Sequence, residues 1–147
     1  MILNFFKKDK KNDFNDHNKE LTKMIALLIH AARIDENYTE KEKKIIINFA
    51  EMSSKKKLSK NEILDLISKA EEYEKNSNQI LEYTQEVKKL DLKSKQLVLE
   101  FLWKIILSDD KSDVYESTLM RRICGLLYLP DKLSGEIKSN ILKRKKI

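Results

Sequence analysis

Asp109, Asp110, Asp113 and Glu116 place four carboxylates within eight positions, in the stretch KIILSDDKSDVYESTLMRRICGLL, of a chain otherwise rich in lysine. Carboxylate oxygens at this density can hold a hard divalent cation such as Ca²⁺ or Mg²⁺, or can cap the start of a helix. One familiar ion site is excluded by the spacing. Counted from Asp109, the third position of an EF-hand loop is Lys111, the sixth is Val114 where glycine is required, and the twelfth is Met120 where a bidentate Glu is required. Asp113 followed by Glu116 instead fits a capping box, as does Thr39 followed by Glu42. Asp35 and Asp109 need a different account, because each falls near the C-terminal end of a predicted helix. There the macrodipole disfavours negative charge by about 0.3–1 kcal/mol. Backbone N–H groups of the loop compensate them, or a cation shared by Asp35 and Asp109 does. The metal candidates are therefore Asp35, Asp109, Glu42 and Glu116, with the two glutamates reading first as helix-start residues.

Other residues with chemical potential are more isolated. His30 sits in LLIHAAR on a largely apolar helix, the setting of a hydrogen-bonded structural histidine. Cys124 falls on the inward face of a predicted helix and reads as an inert buried thiol. Tyr38 and Tyr115 flank the acidic stretches, where they line a cleft or pack between helices. No nucleophile is tied to a base by spacing, so no catalytic residue is assigned.

The elements that must position these residues follow from composition and periodicity. With 2 Gly and 1 Pro in 147 residues, glycine-rich phosphate loops, nucleophile elbows and strand-turn-strand architectures lack their turn formers. The fold class expected is all-α, one domain. Seven helices are predicted. The first runs over about 17–33, with Leu21, Met24, Ile25, Leu28 and Ala32 spaced for one buried stripe. The second starts at Thr39 and turns Ile45, Ile46, Phe49 and Ala50 inward. Ser59 and Glu62 form a capping box, flanked by Leu58 and Ile63 as a hydrophobic staple, and open the third. A fourth carries Ile80, Tyr83, Val87 and Leu90, and a fifth Leu97, Val98, Phe101, Leu102 and Ile105. The sixth begins at Asp113, buries Leu119, Met120, Ile123 and Leu127, and stops before Pro130. SGEIKSNILKRKK forms a short seventh.

Laid on itself with Thr39 over Asp113, an offset of 74, the chain repeats. Leu28, Ala31, Ala32 and Asp35 fall on Leu102, Ile105, Ile106 and Asp109, and Glu42 falls on Glu116. Ile45, Ile46, Phe49 and Ala50 fall on Leu119, Met120, Ile123 and Cys124, and Ile29 falls on Trp103, placing that indole in the core. The spacing predicts two helix-corner-helix units related by a pseudo-twofold axis.

LLIHAARIDENYTEKEKKIIINF and LWKIILSDDKSDVYESTLMRRICGLLYL resemble the TerB-like proteins, a family named for a member encoded with tellurite-resistance genes. The resemblance covers roughly residues 20–130. In the family pattern an apolar helix ends in Asp-Gly, then come a spacer, a small polar or acidic cap, two residues and Glu, once in each half of an all-helical domain. Here Glu36 and Asp110 stand where the glycine usually follows the Asp. The resemblance implies a cytoplasmic, non-enzymatic binding or regulatory protein connected with stress or metal-ion response, with acidic residues that bind a divalent cation. A metal-dependent enzyme using the same acidic corners is the rival reading.

Charge supplies a third reading. The net charge is +6, yet of the 30 basic residues only Arg33, Arg121, Arg122 and Arg144 are arginine, which argues against nucleic acid. KKDKK at 7–11 and KRKK at 143–146 read as solvating tails or a polyanion contact. Ile2, Leu3, Phe5 and Phe6 precede the first of these, so residues 1–11 suit a peripheral contact with an anionic membrane, and 1–19 reads as an apolar start plus polar tether ahead of a domain at 20–147. A lone cysteine and no secretory or membrane-spanning run give a cytoplasmic expectation, peripheral to the inner face of the membrane if that contact forms, with a protein partner as the binding module's target.

Overall fold

A computed structural model describes residues 19–34, 38–54, 58–76, 80–109 and 114–145. These form seven α-helices: α1 over 19–32, α2 (Glu40–Ser53), α3 (Lys60–Asn76), α4 (Ile80–Lys88), α5 (Leu92–Ile106), α6 (Val114–Leu126) and α7 (Asp131–Lys145). A single 3₁₀ turn, Leu107–Asp109, extends α5. The described residues contain no strand, as the scarcity of turn formers predicts, and no helix among them is long and apolar enough to cross a membrane. The expected amino-terminal segment and membrane contact fall on 1–18, outside the described residues.

Local chemistry sets most of the helix starts. Ser59 and Glu62 exchange the two bonds of a capping box, each 3.2 Å, at the head of α3. Ile63 is buried and Leu58 packs half-buried on the core, as a staple requires. At α5 the Asp91 carboxylate accepts from Ser94 N–H at 2.9 Å, and the Ser94 hydroxyl, with that backbone bond after it, holds its carboxyl below the usual range.

The end of α6 uses the complementary device. Leu129 N–H donates to Cys124 C=O at 2.9 Å and Tyr128 N–H to Gly125 C=O at 3.3 Å, the paired bonds of a Schellman motif. Its left-handed position, φ 57°, is held by Tyr128, where glycine is the usual occupant. The Tyr128 ring is 72% exposed, and Lys88 Nζ lies 4.5 Å from its centroid. A left-handed non-glycine residue costs about 1–2 kcal/mol, and an exposed cation–π contact returns about 0.5–1 kcal/mol. Tyr128→Gly is therefore expected to raise stability, by up to about 1 kcal/mol in urea unfolding, with an unchanged slope.

Pro130 ends α6 as expected but also starts the next helix. Its carbonyl accepts from Leu133 N–H at 3.1 Å and Ser134 N–H at 3.4 Å, so α7 begins at Asp131 and runs fifteen residues, earlier and longer than expected. Proline's fixed φ is compatible with a first helical turn, which lacks an internal N–H partner in any case.

The core departs from a simple stripe. In α1 the consecutive residues Met24 to Ile29 are all buried, so this helix is enclosed on every side. α5 is enclosed in the same way, with Val98, Leu99, Phe101, Leu102, Trp103, Ile105 and Ile106 buried. It packs against α2, α4 and α7. Shifted by 74 residues, 19–32 falls on 93–106, close to the bounds of α5, and α2 falls on 114–127, close to those of α6. The positions that this offset pairs, Ile46 with Met120, Phe49 with Ile123, and Ala50 with Cys124, are buried in α2 and in α6. Trp103 is core, as its register implies, and its indole N–H donates to the buried Ser134 hydroxyl at 2.9 Å.

Candidate functional site

At the first corner α1 closes with Arg33 N–H donating to Ile29 C=O at 2.9 Å. The chain re-enters the described residues at Tyr38, and Thr39 takes an extended backbone ahead of α2. Glu42 N–H donates to Thr39 Oγ1 at 3.1 Å, while Glu42 Oε1 accepts from Thr39 N–H at 2.8 Å and from Thr39 Oγ1–H at 2.9 Å. Glu42 is thus the N3 residue of a complete capping box and only 2% exposed, the helix-start role its spacing predicts.

The second corner follows α5. Ser108 is buried, and its hydroxyl donates to Ile105 C=O at 2.7 Å within the last turn. Lys41, in the first turn of α2, reaches across and donates from Nζ to Ser108 C=O at 3.3 Å. This bond, between residues 67 apart in sequence, links the two corners directly. Asp35, Asp110 and Asp113 lie outside the described residues, as do the side chains of Asp109, Tyr115 and Glu116. Among the described residues no three His, Cys, Asp or Glu side chains gather as metal donors.

A second polar assembly lies beside the first corner. Glu74 of α3 sets Oε1 at 3.4 Å from His30 Nδ1 and accepts at Oε2 from the Arg33 guanidinium, both from α1 and its last turn. One turn earlier Glu71 Oε1 accepts from the Tyr38 hydroxyl at 3.5 Å and pairs with Lys43 Nζ at 3.7 Å. Arg33 also lies over the Tyr38 ring, 5.5 Å from its centroid. Burial, and after it the Glu71 carboxylate, holds the Tyr38 phenol well above its usual range, so it remains a donor. Tyr83 completes the assembly: its hydroxyl donates to Glu74 C=O at 3.2 Å and its ring lies 5.8 Å from that of His30. His30 is therefore hydrogen-bonded, and Tyr38 packs between helices. Cys124 is buried, and burial pushes its thiol up, which suits an inert residue.

The helical core, the Thr39–Glu42 box and the linked corners are the frame on which a family assignment can rest. The family model described as tellurite resistance protein TerB matches residues 21–139. The chain belongs to the TerB family. The match runs from the first turn of α1 into α7, so it takes in both corners and the Glu71–Glu74 assembly of this TerB-family chain. Searches of curated proteins and of solved structures returned no match.

Sequence reasoning passed over Glu71 and Glu74. A signal was present: they sit four residues after the buried Ile67 and Ala70, so they continue the inward stripe of α3. An acid at such a position calls for a partner from another helix.

Proposed function

We propose that this TerB-family chain is a non-enzymatic binding or regulatory module in stress or metal-ion response, the setting the family's description suggests. Its ligand surface is the junction of the two corners, and its ligand is a hard divalent cation, Ca²⁺ or Mg²⁺. The observation that supports this reading is the Lys41–Ser108 bond, which puts the start of α2 against the residue immediately before Asp109. Asp35 and Asp109 are the assigned donors. Glu42 is occupied with Thr39, and by the matched spacing Glu116 is assigned to the start of α6. The Lys41 ammonium at this junction is a fixed positive charge that opposes a second cation.

Calorimetric titration with Ca²⁺ and Mg²⁺, and thermal melts with and without chelator, test the assignment. Asp35→Asn and Asp109→Asn should each weaken binding at least tenfold, and the double variant should lose little beyond either, since donors to one ion are not additive. Glu42→Gln should leave the chelator melt nearly unchanged, since Gln still completes the box. No heat of binding at millimolar cation, with the same melting temperature in chelator, would remove the cation and leave the corners as structural caps.

A further inference from the structure

A groove of about 280 Å³ opens between the start of α1, the end of α2 and the passage from α4 into α5. Met24, Phe49 and Val98 are buried on its inner side; Leu90 and Leu97 are half-buried, and Met52 is 59% exposed. Among the described residues lining it, Glu20 carries the one charge.

We propose that this groove receives the chain's own amino-terminal apolar block, Ile2, Leu3, Phe5 and Phe6. Position is the first argument. Glu20, the second residue of α1 as described, lines the groove, so the segment joins the domain at the groove's edge. Reach is the second. Residues 7–18 separate Phe6 from Lys19, and a coil of that length has a root-mean-square span of about 20 Å. Attachment so close to the groove gives an effective concentration in the millimolar range, at which even a weak contact is populated. Composition and charge are the third. The block holds four large apolar side chains, whereas 7–18 holds only Phe14, and the block is followed at once by Lys7, Lys8, Lys10 and Lys11, which complement Glu20 at the groove. Held this way, the block is kept from other apolar or anionic surfaces until one of them outcompetes the groove.

The chain's methionines report on this directly. Met24 and Met52 line the groove, while Met120 lines a separate hollow beside Trp103. In full-length protein labelled at the methionine methyls, the combined substitution Phe5→Asp and Phe6→Asp should move the Met24 and Met52 resonances, through lost ring currents and increased solvent contact, and leave Met120 in place. Met52→Asp, a change at an exposed position, should expel the block, so that adding the two Phe substitutions no longer moves Met24. Unmoved Met24 and Met52 signals in the Phe5→Asp, Phe6→Asp variant overturn the proposal, as does an equal movement of Met120. Should phosphatidylglycerol-containing vesicles sediment the wild-type chain but not that variant, while the methionine spectra of the two coincide, the block serves a lipid surface and self-docking is overturned.

Discussion

Phe49→Ala is expected to cost about 3–5 kcal/mol, the range for removing a fully buried aromatic and leaving a cavity. Phe49 has no exposure, and its ring meets Phe101 edge-on, with centroids 5.3 Å apart and planes 65° apart. That geometry adds about 0.5–1.5 kcal/mol beyond area burial. The location makes relaxation difficult. Phe49 belongs to α2 and Phe101 to α5, so the pair ties α2 to the enclosed helix that also packs against α4 and α7. Small domains hold only about 5–15 kcal/mol in total, so this one ring supports a large fraction of the fold. Urea unfolding should show a much lower midpoint at nearly constant slope. Asn48, the exposed neighbour, is the control: Asn48→Ala should stay within about 0.5 kcal/mol. A loss at 49 no larger than the change at 48 would mean that packing of the Phe49 ring against α5 does not hold α2, since alanine favours the helix at both positions.

What the sequence disclosed and what it withheld divide by range. The boxes at Thr39–Glu42 and Ser59–Glu62 were legible because both partners lie three residues apart and their chemistry is written locally. The inward positions Ile46, Phe49, Met120 and Ile123 were legible through helical periodicity. The full enclosure of α1 was not, because a stripe reading passes over Ala26 and Leu27, which lie between the chosen positions. The sequence marks Pro130 as a stop, and its second role in starting α7 follows from the same fixed φ. Asp91 was missed as the N-cap of α5 although its signal is local. At the candidate site the role of Glu42 was readable, while the Lys41–Ser108 bond that joins the corners depends on tertiary packing and leaves no spacing rule.

Glu74→Ala is the second large effect expected, about 2–3 kcal/mol. The Glu74 side chain is 11% exposed and faces two basic groups, His30 and Arg33. Removing it leaves a guanidinium without its carboxylate in a half-buried position. A charge-assisted hydrogen bond contributes about 1.5–3 kcal/mol. The 3–5 kcal/mol of a fully buried broken pair is too much here, since Arg33 and His30 each keep about 30% of their side chains in water. The Tyr83 bond to the Glu74 carbonyl survives the substitution, so the loss isolates the carboxylate. Glu74→Gln, which retains an acceptor, should cost about 1 kcal/mol. A double-mutant cycle with Arg33→Ala should give a coupling of about 1–2 kcal/mol that persists in high salt, unlike the exposed Asp65–Lys69 pair. The loss should also be local. Arg33 ends the helix that leads into the first corner, so the amides of Arg33 and Ile34, bonded to Ile29 and Ala31, should exchange faster in Glu74→Ala than the global destabilisation accounts for. Coupling below about 0.5 kcal/mol with unchanged exchange at those two amides would make the Glu74 carboxylate dispensable to the corner, whose anchoring would then rest on the Glu71 contacts with Tyr38 and Lys43, on Lys41 and on the Thr39–Glu42 cap.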